Sequence, residues 1–403
     1  MRLYRVSIRN LMVGKGYPTR LMGIINLSPE SFYSTSVTSP ALIVDRALKM
    51  ERDGAEILDI GGVSTAPPDI YGTSPVSEEE EFKRVTTAMD QLREVIDIPI
   101  SIDTMSARVA EAALDRGADV INDVSGMKHD SRMARVVAKW DVPVVIMACC
   151  SGPCTTVGDT INALQDSLRI AHQAGISQEK IIIDPGIGFG RPPEEDVRVL
   201  RDLRRFALFG HPVLVGVSRK SFIGRLLGGR PPGQRLTGTV AATAIAVVNG
   251  ADIIRAHDIG EAVDTIRIAM AIRGREVFTE RILLFEGMRE FEVEVLLEHI
   301  GTSETIRKSL ARKGVMLNVY LREVVPAAAL ILKQEMLALG GDAAYHHDTI
   351  DCSIPLTDVL LMGTPTQVLR LSEKIRVMKY FGLSNLGENL QKLLEERAAE
   401  QGV

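Results

Sequence analysis

Polar residues recur at the ends of apolar runs in this chain, where a side chain is costly to bury without a partner. Asn26, Asp59, Asp103, Asn122 and Asp184 each close such a run. Met147 closes another, the Ser218-Arg219-Lys220 turn follows a seventh, and Arg255 and His257 sit in an eighth. Ile181-Ile182-Ile183-Asp184 shows the pattern most clearly: three β-branched residues end at a carboxylate, and Pro185 and three glycines follow. One such Asp is equally well read as the cap of the next helix. A whole series converging on one mouth is poorly explained by capping alone. Carboxylates and amides at the base of a pocket suit a heterocycle that displays ring N–H, amino and carbonyl groups. Asp184 could take a bidentate N–H pair, Asn122 and Asp103 the rest of that edge, and Lys220 a carbonyl or ring nitrogen. The second group, Arg219, Lys220, Arg255 and His257, is cationic and suits phosphate oxygens. Arg255 interrupts the apolar Ile253-Ile254 strand, which a surface ion pair does not explain.

The elements that must position these groups repeat. The runs are 21–27, 56–61, 99–104, 120–125, 143–148, 181–186, 212–218 and 252–257. Segments of helical period separate them, as in Ala41, Ile43, Val44, Ala47 and Leu48. Gly54, Gly117 and Gly250 precede strands as helix stops. Eight βα units predict an α/β fold, a (β/α)8 TIM barrel over 1–275, with function at the C-terminal strand ends. A doubly wound open sheet is the rival. Residues 1–20 read as a lead-in hairpin closing one end. Beyond Gly274-Arg275-Glu276 the pattern changes, and 280–403 read as a small α+β domain. Residues 281–300 read as a strand and a charged helix, further strands are expected at 315–325 and 358–362, helices at 327–339 and 365–377, and a charged helical tail at 388–401.

Composition narrows the function classes. The 403 residues carry a net charge of -5, so no general basic surface exists to attract nucleic acid. No apolar run is long enough to span a membrane and no signal peptide is visible, so a cytoplasmic enzyme is expected. With 4 Cys a disulfide scaffold is not indicated. Cys149, Cys150 and Cys154 read as a loop cluster of thiols rather than a metal or redox site. His346-His347 reads as a solvated loop, and Trp140 as packed in a helix. Gly186–Gly190 is no dinucleotide fingerprint, because its spacing is wrong. An all-protein metal cage has no tight ligand motif here.

Taken together these residues resemble the dihydropteroate synthase family. Gly23-Ile24-Ile25-Asn26-Leu27-Ser28-Pro29-Glu30-Ser31-Phe32 is similar to its first motif. Leu58–Gly62, Ser101–Thr104 and Ile121–Gly126 are similar to the next three. Asp184–Gly190, Ser218–Ser221 and Arg255–Asp258 complete seven motifs in order. The resemblance implies joining of 7,8-dihydropterin-6-ylmethyl diphosphate to p-aminobenzoate or a related arylamine, with release of pyrophosphate and with Mg2+ as cofactor. It implies that Asp184, Asn122, Asp103 and Lys220 hold the pterin, and that Asp59, Met147 and Ser218 also bind substrate. It gives Asn26, Arg255 and His257 to the diphosphate, Asn26 also to Mg2+, and Lys220, Arg255 and His257 to catalysis. Thr65, Arg219 and Ser221 would bind substrate, Ser221 receiving the benzoate carboxylate, and Phe32 and Phe189 would wall the acceptor site. A homodimer is expected.

The chain also departs from the family. Val63 and Ala66 stand where an acid and an arginine are usual, and Ala148 where a histidine is. These losses touch the acceptor and diphosphate loops and spare the pterin pocket. Residues 331–337, 340–344 and 358–364 resemble an accessory domain of some longer bacterial synthases, to which no chemistry attaches. The rivals are a pterin-dependent methyltransferase, which needs neither the Ser-Arg-Lys turn nor the Arg-x-His strand end, and a non-catalytic pterin-binding protein.

Overall fold

The computed structural model describes residues 3–28, 42–63, 76–150, 152, 154–273, 288 and 290–401. The chain divides into two compact units, Arg2–Glu276 and Val277–Val403.

The first unit is a barrel. Its strands are β3 (Arg20–Asn26), β4 (Ile57–Gly61), β5 (Ile100–Asp103), β6 (Val120–Asp123), β7 (Val144–Met147), β8 (Ile181–Asp184), β9 (Leu214–Val215) and β10 (Ile253–Ala256). They pair in the order β8-β7-β6-β5-β4-β3-β10-β9, and neighbouring strands in that order are parallel. A parallel bridge between Ile183 and Val213 joins the two ends of that series. Closure excludes the open-sheet rival. Strands β4 to β8 are buried at every position, which is why they read as unbroken apolar runs rather than alternating ones.

Local sequence starts and stops the helices between strands. In α1 (Ile43–Asp53), Gly54 at φ +108° ends the helix in the left-handed region. Four glutamates open α2 (Glu78–Leu92), where they offset the positive end of the helix dipole, and Ser77 caps its first turn. Ser106 caps α3 (Ala107–Leu114); α4 (Met133–Trp140) ends at Asp141. Thr156 and Asp159 form a capping box on α5 (Val157–Gln173). Then come α6 (Pro193–Arg201), α7 (Ser221–Leu226), α8 (Leu236–Val248) and α9 (Ile259–Arg273).

The lead-in is a hairpin, β1 (Val6–Ile8) antiparallel to β2 (Leu11–Val13). Val6, Ile8 and Val13 are fully buried and share one apolar cluster with Met22, Ile57, Val120, Val145, Ile182, Leu214 and Ile253. Those strand residues all lie at or near the N-terminal ends of their strands. The hairpin is therefore the floor of the barrel, and the C-terminal ends are left for ligands.

The second unit contains α10 (Glu290–His299), α11 (Glu304–Ala311), β11 (Leu317–Val324), α12 (Pro326–Ala338), β12 (Asp342–Tyr345), β13 (Thr357–Gly363), α13 (Pro365–Arg376) and α14 (Leu383–Gln401). Its sheet is antiparallel in the order β11-β13-β12. Leu332, Met336, Val359, Leu361, Val368 and Leu371 are fully buried in its core. Two elements escaped the sequence reading. β12 has only four residues, two of them alanine, and α11 has an exposed polar surface. The strand expected near 281 falls outside the described residues.

Candidate active site

Strand register brings the polar residues together. Asn26 pairs with Gly61, Gly61 with Asp103, and Asp103 with Asn122, so three polar side chains stand on one level of neighbouring strands. Met147 pairs with Asp184 in the same way. Around this ring Asp59 is completely buried, and Asn122, Asp103 and Asp184 are nearly so.

One cation organises the acids. Arg255 donates from Nε to Asp59 Oδ2 at 2.6 Å and from Nη2 to Asp103 Oδ2 at 2.9 Å. Asn122 Nδ2 donates to the same Asp59 oxygen at 3.1 Å. This accounts for the arginine inside an apolar strand: it neutralises two buried carboxylates that would otherwise repel. Each of the three residues keeps one buried oxygen, Asp59 Oδ1, Asp103 Oδ1 and Asn122 Oδ1, with no hydrogen-bond partner among the described residues. Burial pushes the Asp103 carboxyl up to about 7 against the pull of Arg255, with Asp59 adding to the rise. Burial likewise raises Asp184, against the Gly186 N–H and the Lys220 and Arg255 charges.

The loop after β8 is pinned at both ends. Gly186 N donates to Asp184 Oδ1 at 2.7 Å, and Gly188 N donates to Asp196 Oδ1 at 2.8 Å. Gly188 has φ +81°, and a Cβ there would lie 2.5 Å from Lys220 Cδ. Glycine lets the lysine stem cross the loop, and Lys220 Nζ then sits 3.9 Å from the centre of the Phe189 ring. Burial, with Arg255 nearby, lowers the Lys220 ammonium to about 8.

His257 is buried and shares a 2.9 Å hydrogen bond between Nδ1 and Ser218 Oγ. Burial first, then Arg255, Arg219, Lys220 and Arg46, hold its imidazole well below the usual range, so it is neutral near pH 7.

Arg219 departs from its expected role as a phosphate ligand. Its guanidinium is bidentate to Asp258, at 2.9 and 2.8 Å, and donates to the Pro232 and Gly233 carbonyls. It holds the loop between α7 and α8 against the β10 end, and its backbone is left-handed at φ 56°. Ser221 is the first residue of α7. Phe32, Thr65 and Ala66 lie outside the described residues. The thiol cluster is also revised: Cys150 and Cys154, with Cα atoms 5.9 Å apart, form a disulfide, while Cys149 is free.

Two site neighbours escaped the sequence reading. Arg191 is 6% exposed, donates to the Pro185 carbonyl, and lies within electrostatic reach of Asp184 and Asp196. Asp196, pushed up to about 6 by burial, holds the Gly188 N–H. Their only signal was charge directly after the glycine loop, where solvent-exposed residues are the ordinary expectation.

The model of a family of pterin-binding enzymes matches residues 22–257. The chain belongs to that family. Among curated members, the Clostridium beijerinckii dihydropteroate synthase is 41% identical over 250 residues, 61% of this chain and 91% of that one. The Bacillus subtilis dihydropteroate synthase is 40% identical over 249 residues, 60% of this chain and 84% of that one. A Clostridium difficile dihydropteroate synthase solved in the presence of pteroic acid is 39% identical, with TM-score 0.59, covering 64% of this chain and 98% of that one. One from Xanthomonas albilineans with 4-aminobenzoic acid is 35% identical, with TM-score 0.61, covering 67% and 98%. These likenesses put the chain among the dihydropteroate synthases of the pterin-binding enzymes, and none of them carries the methyltransferase rival's name.

Proposed function

We propose that this pterin-binding enzyme joins 7,8-dihydropterin-6-ylmethyl diphosphate to p-aminobenzoate, forming 7,8-dihydropteroate and pyrophosphate for folate biosynthesis. The observation that carries the reading is the set of three buried, unpartnered acceptors, Asp59 Oδ1, Asp103 Oδ1 and Asn122 Oδ1. Each would cost about 1–3 kcal/mol if nothing ever donated to it. A pterin presents ring N–H and amino donors along one edge, and Asp184 supplies a further carboxylate for them. Lys220 donates to the pterin's carbonyl side, and Met147 packs against the ring.

In the reaction, the C–O bond between the pterin methylene and the diphosphate breaks, and its electron pair leaves with pyrophosphate. The arylamine lone pair forms the new C–N bond, and the amine proton passes to water. Arg255 spends Nε and Nη2 on Asp59 and Asp103, which leaves Nη1 for a phosphate oxygen. A diphosphate bound here would offset the cationic neighbours of His257, and an imidazole N–H of His257 would donate to it as charge develops on the leaving group. Phe189 walls the acceptor, and the Ser221 hydroxyl meets its carboxylate. No side-chain nucleophile takes part.

The donor set also fits Mg2+. Asn26 Oδ1 lies 3.8 Å from where a Cβ on Gly61 would stand, and that same point is 3.8 Å from Asp103 Cβ. Amide and carboxylate oxygens are hard ligands, and Mg2+ commonly binds through a few of them together with substrate phosphates. Asn26 would hold the ion, which would supply positive charge beside the leaving group. Asn26→Ala should then raise the Mg2+ concentration needed for half-maximal pyrophosphate release; an unchanged requirement removes Asn26 from that role.

No described helix is long and apolar enough to cross a membrane. Calorimetry with the pterin diphosphate tests the pocket directly. Asp184→Asn replaces an acceptor with a donor and should weaken binding by about 2–4 kcal/mol, roughly 30- to 900-fold. Unchanged affinity in a folded variant would remove Asp184 from the site.

A further inference from the structure

The second unit carries a side-chain cluster that the barrel chemistry does not use. β12 runs out at Tyr345 into His346, and a short 3-10 turn, His347–Thr349, follows. This turn is held in place. His346 N donates to Thr357 Oγ1 at 3.2 Å, Thr349 N to the His346 carbonyl at 3.0 Å, and Asp348 N to His346 Nδ1 at 3.3 Å. Ser353 Oγ ties the loop back, donating to Asp351 Oδ1 at 2.7 Å and to the Asp348 carbonyl at 3.3 Å.

Three donors project from this fixed turn. His347 Nε2 is 3.0 Å from Asp348 Oδ1, His346 Nδ1 is 3.7 Å from Asp348 Oδ2, and the two imidazole centres are 4.3 Å apart. One ligand atom from each residue lies within 4.8 Å of the others. A transition ion with bonds of about 2.0–2.1 Å holds neighbouring ligands about 2.9–3.4 Å apart. The closest pair already has that spacing. The other two contacts need side-chain rotations, and His346 Nδ1 must give up the Asp348 N–H it accepts; exposure permits this, since the His346 and His347 side chains are 51% and 83% exposed.

We propose that His346, His347 and Asp348 bind a divalent transition ion of the zinc class. Two imidazoles with one carboxylate favour zinc, nickel or copper over magnesium or calcium, which take oxygen ligands. Asp351 lies within electrostatic reach of His347 and can reinforce the charge of the site. With three protein ligands the ion keeps an open position. Bound there, it clamps the loop between β12 and β13.

The test uses the full chain, stripped with EDTA and titrated with Zn2+ against a chromogenic chelator, with excess Mg2+ and physiological salt present. We expect one equivalent of zinc bound with micromolar affinity. His347→Ala and Asp348→Asn should each weaken it by at least the roughly 10- to 100-fold seen when a metal ligand's supporting contacts are lost. Cys352, an exposed free thiol in the same loop, should not matter, so Cys352→Ser should bind like the parent. Pyrophosphate release by the barrel should be unaffected in all three variants, which separates this site from the barrel reaction. Zinc binding no tighter than millimolar overturns the proposal. So does equal binding by the parent and the His347→Ala/Asp348→Asn double variant, or loss of binding only in Cys352→Ser.

Discussion

Lys220 shows what neighbours do to a single side chain. Its ammonium is lowered to about 8, chiefly by burial. A pterin acceptor needs the charged form, so pterin affinity should fall as pH rises through about 8. Lys220→Arg does not titrate in that range, and its affinity profile should lose this limb. A limb that persists in the variant assigns the titration to another group. Arg219 teaches the opposite lesson. It shares a turn with Lys220, and residue type suggested phosphate for both. Nothing in the local sequence could say that its fork is filled by Asp258, 39 residues away. Residue type and strand position were legible, whereas the direction of a long cationic side chain was not.

At the scale of elements, the barrel strands were the most legible features, because parallel strands buried on both faces read as short apolar runs with clear ends. β12 was not, since its alanines lack strand preference and pairing with β13 places it. The hairpin β1–β2 was visible only as a lead-in, yet its floor position makes a testable link. His211 lies in the chain just before β9, is buried, and stacks on Tyr4 at 4.8 Å. Burial lowers its imidazole to about 4. The folded state therefore binds fewer protons than the unfolded chain between pH 6.5 and 4. Stability from this group is intact above about 6.5 and is lost as pH falls toward 4. Asp103 and Asp196, raised by burial, work in the opposite direction, so a variant comparison is needed. His211→Phe keeps an aromatic ring for stacking. Between pH 7 and 4 the parent should lose about 3 kcal/mol more than this variant in urea melts. Parallel losses in both proteins would mean that the His211 imidazole protonates freely in the fold.

At the scale of the molecule, the α8–α9 pair leaves Ile245, Ile268 and Ile272 at 49%, 64% and 72% exposure. Helices α8 and α9 pack on one another, and isolated exposed apolar residues are ordinary, but three isoleucines on one helix pair suit a partner. We propose that the expected homodimer would use this face. Ile245→Arg should shift the protein to monomer in light scattering, and a parent that is already monomeric rejects the assignment. The central claim concerns the mouth of the barrel: a pterin diphosphate bound by buried acceptors loses pyrophosphate to an arylamine. The most direct measurement is pyrophosphate release from 7,8-dihydropterin-6-ylmethyl diphosphate on addition of p-aminobenzoate, alongside a panel of other arylamines because Val63, Ala66 and Ala148 depart from the family. The account predicts pyrophosphate and 7,8-dihydropteroate in equal amounts, with release dependent on the added amine. Tight pterin binding with no pyrophosphate released for any arylamine would contradict it and leave a pterin-binding protein without the transfer reaction.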